Sequence, residues 1–161
     1  MICDVHGLRE YIGGVAKALY TRGFEVAPVI ALEIDRARRA SFSIVGTLLD
    51  PETGLTAEVV LEELWRPASG SRWERIEYTY DLIDRPTGRR RAYHLHDPDR
   101  LRALLGVAAH EHCEDVLGTP RCDHYEGVEL PDAYRGIDLL VAVWIDPLGP
   151  GCEAQTCLDR R

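Results

Sequence analysis

Between residues 26 and 96 the chain holds five stretches of apolar alternation, and the gaps between them are too short for anything but hairpins. The stretches are 26–34, 41–49, 57–65, 73–83 and 90–96. The gaps have turn chemistry: 35–40, Asp50-Pro51-Glu52-Thr53-Gly54, Pro67-Ala68-Ser69-Gly70 and Asp84-Arg85-Pro86-Thr87-Gly88. A parallel crossover needs a dozen residues or more, so connections this short select antiparallel neighbours. The expected centre of the fold is a meander of about five strands. In its best-patterned strand, 73–83, Ile76, Tyr78, Tyr80 and Leu82 are expected on one face and Arg75, Glu77, Thr79 and Asp81 on the other.

A sheet with one apolar face needs a cover, and the flanks supply it. In 7–22, Leu8, Ile12, Val15 and Leu19 recur at helical steps, and Gly23 suits a helix stop. The Gly13-Gly14 pair weakens that helix by about 1 kcal/mol per glycine relative to alanine. After Asp97 a short middle helix is expected, with Pro98 at its first position and Leu101, Leu104 and Leu105 as its stripe. Residues 106–130 read as a loop-rich stretch. A last helix follows Pro131-Asp132, with Ile137, Leu140, Val141 and Trp144 on one side, and stops at Asp146-Pro147. Its β-branched content makes a sixth strand the alternative. The fold class is α+β, an antiparallel sheet with helices on one face. The 161 residues form one domain: 1–24 as the N-terminal helix, 25–146 as sheet and C-terminal helix, 147–161 as a tail.

Charge bounds the function. The net charge is −8, which argues against broad DNA binding or an anionic membrane surface. No apolar run approaches the ~18 residues of a membrane span. The start, Met1-Ile2-Cys3-Asp4-Val5-His6, lacks the basic and apolar pattern of a signal peptide, so a cytoplasmic location is expected. Five cysteines, an odd number, disfavour a full disulfide framework. Residues 66–102 are locally basic, with nine arginines against six acids, while 103–146 carry two arginines against nine acids.

Five of the six histidines fall between 94 and 124. They stand in three groups: His94-Leu95-His96-Asp97, His110-Glu111-His112-Cys113-Glu114-Asp115 and Cys122-Asp123-His124-Tyr125. On a strand, 94 and 96 project from one face. Imidazole titrates near neutrality, so such a pair supplies an acid and a base at physiological pH. Arg89, Arg90 and Arg91 beside them suit a phosphate. These choices make His94, His96, His110 and His112 the candidate catalytic residues for phosphodiester cleavage. A zinc site from His112, Cys113, Cys122 and His124 is the alternative, although the eight residues between the cysteines match no knuckle spacing. The same histidines also suit an ordinary wet strand face. Fingerprints for phosphate loops, serine hydrolases, metalloproteases and dinucleotide folds are absent from the sequence.

The order of these features resembles the TumE-type toxins of bacterial toxin–antitoxin pairs. A strand ending Tyr78-x-Tyr80-x-Leu82-x-Asp84 leads to an Arg-rich turn, a strand ending in His94, His96 and Asp97, further histidines at 110 and 112, and a helix entered through Pro131. The resemblance covers about 29–145 as a pattern of elements. The chain departs from it in its N-terminal helix, the two cysteines among its histidines, its Cys-bearing tail and its lack of doubled histidines. It implies a small toxin held by a DNA-binding antitoxin protein, with RNA as substrate. Two other classes stand beside it: a zinc-binding interaction domain that docks a basic partner, and a non-catalytic nucleotide or small-molecule binder.

Overall fold

The computed structural model describes residues 2–27, 31–49, 54, 56–86, 88–96, 109–116, 119–126 and 129–145. It is α+β. The strands are β1 (Ile2–Asp4), β2 (Glu25–Val26), β3 (Ala31–Ile34), β4 (Ala40–Leu49), β5 (Thr56–Pro67), β6 (Arg72–Asp84), β7 (Arg89–Leu95), β8 (Ala109–Val116) and β9 (Thr119–Glu126). The helices are α1 (Val5–Thr21) and α2 (Ala133–Ile145). Strand order is β2-β4-β5-β6-β7-β8-β9, with β1 on β6 and β3 on β4. Every pairing is antiparallel.

The meander expected between 41 and 96 is present as β4–β7. Three expectations need correction. The stretch 106–130 is not loop-rich: it holds the long antiparallel pair β8–β9, which extends the sheet beyond five strands. Its sequence, His110-Glu111-His112-Cys113-Glu114, alternates polar with polar, so no hydrophobic period announces a strand. The 26–34 strand is two short pieces, β2 and β3, that pair separate parts of β4. And Arg75 points inward. A bulge opposite Leu64 and Trp65 puts an extra residue, Ile76, into β6, so Glu77 pairs Leu64 while Arg75 pairs Trp65. The inserted residue shifts the phase, and Trp73 and Arg75 join Tyr78, Tyr80 and Leu82 in the buried set. The middle helix expected after Pro98 and the 147–161 tail lie outside the described residues.

One face of the sheet is the core. Leu8, Ile12, Val15 and Leu19 of α1 and Ile137 and Leu140 of α2 are buried against Ile44, Val59, Leu61, Trp65 and Tyr80. Each aliphatic side chain so buried is worth about 1.5–3 kcal/mol. Gly23 ends α1 with φ +88°, a left-handed conformation that glycine adopts without strain. Gly136 lets α2 lie directly on Tyr80, since a Cβ there would overlap the ring.

Within this core lies a polar knot. Glu63 and Arg75, both wholly buried, are paired at 3.2 Å. The Glu63 carboxylate accepts hydrogen bonds from the Tyr11 hydroxyl at 2.8 Å and the Trp65 indole at 3.0 Å, and also from the Tyr80 hydroxyl. Arg75 donates to the Leu130 carbonyl and lies 4.6 Å above the Tyr78 ring. The Leu130 and Ala133 amides donate to the Tyr78 and Tyr11 hydroxyls, each at 2.9 Å. The knot therefore fixes the entry to α2. Burial pushes the Glu63 carboxyl up from its ordinary value, against Arg75 and the donating hydroxyls, which pull it down. Burial and the nearby Glu63 raise both Tyr11 and Tyr80, which stay protonated donors. Among the described residues no helix is long and apolar enough to cross a membrane.

Candidate functional site

Alternation along β6, β7 and β8 builds the site on the sheet face away from the helices. In β7, Tyr93 and Leu95 point into the core, so Arg90, Ala92 and His94 occupy the other face, and His96 follows at the strand end. Register places His110 of β8 opposite His94, His112 opposite Ala92 and Glu114 opposite Arg90. On the other side of β7, Thr79 of β6 pairs His94 and Asp81 pairs Ala92. Directly paired residues share a face, with strands about 4.8 Å apart. Ala92, almost fully buried, thus lies at the centre of a polar cluster, with Asp81 and His112 paired to it on either side and His94, His110, Arg90 and Glu114 around it.

The imidazoles converge. His94, His110 and His112 each offer a ligand atom within 4.8 Å of the others. His110 Nε2 and His112 Nε2 stand 3.1 Å apart, with one ring donating to the other. The His94 ring centre lies 4.6 Å from that of His112 and 5.2 Å from that of His110. His94 Nε2 is shielded from solvent, has no hydrogen-bond partner among the described residues, and faces Asp81 Oδ2 at 3.8 Å. His96 stacks on His110 with ring centres 5.1 Å apart. Burial, and then the neighbouring His94, pull the His96 imidazole below its ordinary value.

A charged clamp holds the rim. Arg90 donates Nε to Asp81 Oδ1 at 2.7 Å and Nη2 to Oδ2 at 2.8 Å, and its Nη1 reaches Glu114 Oε1 at 2.8 Å. Burial raises the Asp81 carboxyl, but His94 and Arg90 outweigh it and hold the group below its usual range. The Asp81 hydrogen bonds, working against burial, raise the Arg90 guanidinium further.

The four histidines read as catalytic candidates, His94, His96, His110 and His112, therefore come together. The three arginines do not: alternation puts Arg90 on the histidine face and Arg89 and Arg91 in the opposite phase, where they pair Asp84 and Leu82. Of the tentative zinc set, His112 belongs to the cluster with His94 and His110. Cys113 is one position out of phase with it and stands opposite Cys122 in the β8–β9 register; the side chains of Cys113, Cys122 and His124 lie outside the described residues. Sequence reasoning missed Asp81 as a site residue and had Glu114 only as one of the acids, with Glu111, Asp115 and Asp123, that would orient imidazoles around a zinc. The available signal was strand parity, Asp81 with Glu77 and Thr79, and Glu114 with His110 and His112. On the same sheet face a groove of about 360 Å³ runs from Glu33, Ser41 and Ser43 past Glu62, Glu77 and Thr79 to His96, and no lysine or arginine among the described residues lines it.

Comparison with protein-family models, with curated proteins and with solved structures finds no match to this chain.

Proposed function

We propose that this protein is a metal-binding domain that takes a divalent transition ion of the zinc class at His94, His110 and His112. The convergence of three imidazole ligand atoms within 4.8 Å carries the reading. Imidazole suits zinc and its first-row neighbours, whereas calcium and magnesium prefer oxygen. Bonds of about 2.0–2.1 Å to one ion set tetrahedral donor atoms about 3.3 Å apart. The His110–His112 pair already has that spacing, at 3.1 Å, and small ring rotations bring in His94. Zinc is the alternative that the sequence offers; in this reading His112 stays a ligand while its partners become His94 and His110.

RNA cleavage, as the toxin resemblance implies, is the competing reading, and the imidazole pairs favour it. The charge around them favours the metal. Arg90 is committed to two carboxylates, and the adjoining groove presents Glu33, Glu62 and Glu77, which repel a phosphate backbone. Titration calorimetry with zinc tests the proposal. One saturable site per chain is expected, weakened about 100-fold or more in His94→Ala, His110→Ala and His112→Ala. Absence of saturable binding, or variants that bind like the wild type, would overturn it. Metal-stripped protein that cuts RNA only while His94 and His110 are intact would establish the competitor instead.

A further inference from the structure

We infer that Asp81 is the fourth ligand of this centre, so that four side chains from β6, β7 and β8 close around the ion and leave no position for a substrate. The inference rests on the metal reading above and concerns what kind of site it is. Structural zinc sites have four protein ligands, while catalytic ones keep one position open. Three features point to closure. First, the shielded His94 Nε2 has no hydrogen bond among the described residues and looks across 3.8 Å at Asp81 Oδ2, a gap that one ion bonded to both atoms would span. Second, Asp81 keeps coordinating capacity. Each of its oxygens accepts one hydrogen bond from Arg90, which leaves a lone pair on each, and Arg90 is anchored in turn by Glu114. A ligating carboxylate is ordinarily oriented in this way. Third, Ala92 lies directly between Asp81 and His112 in the cross-strand register, so only a methyl group stands between these two donors. Asp81 and His96 both lie outside the converging group of three, so the fourth donor has to move in; Asp81 already faces the His94 ring nitrogen across 3.8 Å, whereas His96 borders the groove. An ion held this way staples three adjacent strands across their ladders.

Cobalt(II) substitution with azide as the probe tests closure. The expected wild-type protein binds one cobalt with the intense visible bands of a four-coordinate ion, and azide leaves the spectrum unchanged. In Asp81→Asn cobalt is held about 10–100-fold more weakly and azide shifts the bands, because a position has opened. Asp81→His, which returns a donor, is again indifferent to azide. His96→Gln matches the wild type in affinity and spectrum. An azide response in the wild-type protein overturns the inference on its own, whether or not any variant folds. So does loss of the four-coordinate spectrum in His96→Gln. Cobalt and zinc that fail to bind the wild-type chain at all would instead defeat the metal reading beneath it.

Discussion

Ala92 puts only a methyl group between Asp81 and His112 in the cross-strand register, where a larger side chain would come between the donors of the proposed ion. Ala92→Leu is expected to fill that space and abolish zinc binding with all three histidines intact. Overpacking costs about 1–3 kcal/mol, so circular dichroism should still report a folded chain while calorimetry reports no metal. The polar knot in the core behaves differently. Glu63→Ala leaves Arg75 buried without its charge partner and should cost about 3–5 kcal/mol, whereas the double change Glu63→Leu with Arg75→Met removes the unpaired charge but still leaves the Tyr11, Trp65 and Tyr80 donors without Glu63 and should recover only part of that loss; urea unfolding of the two variants checks the difference. Neither Ala92 nor the knot is legible residue by residue. An alanine acquires meaning only from what the neighbouring strands set beside it. Arg75 reads as an outward charge until the bulge at Ile76 turns it round.

At the level of elements, strands with one apolar face announced themselves and strands without one did not. β4 to β7 follow from alternation and turn chemistry, and β6 from its Tyr78-x-Tyr80-x-Leu82 run. β8 was hidden because 110, 112 and 114 are His, His and Glu, residues whose shared face is polar. The same fact concealed half of the candidate site: His94 and His96 could be paired by parity, but nothing in the sequence aligned His110 with His94 until β8 was seen to be a strand. The α2 helix follows from its apolar spacing and from the proline at its entry, and its closeness to the sheet depends on Gly136. Gly136→Ala drives a methyl into the Tyr80 ring and should lower stability by about 1–3 kcal/mol, measured as a drop in the urea midpoint without a change in slope.

Across the whole molecule, four of the arginines described between 66 and 102 are held by carboxylates. Arg66 pairs Glu74, Arg85 pairs Glu58, Arg75 pairs Glu63, and Arg90 pairs both Asp81 and Glu114. Of these pairs, Arg66–Glu74 and Arg85–Glu58 are exposed and worth at most about 1 kcal/mol each, while the others are largely buried. An ion bridging β6, β7 and β8 adds a constraint of a different order. Zinc at about 100 times its dissociation constant adds about 2.7 kcal/mol to the folded state. For a chain of this length the melting midpoint should rise by roughly 5–10 °C, and a chelator should reverse the rise. In the triple variant of His94, His110 and His112 to alanine, zinc should leave the midpoint where it was.

Native mass spectrometry of the zinc-treated, desalted chain tests the metal centre most directly. A single species heavier by one zinc ion is expected for the wild-type protein, and that mass should vanish from the triple histidine variant while its charge-state envelope stays folded. A wild-type chain carrying no zinc, or a triple variant that still carries one, would contradict the account.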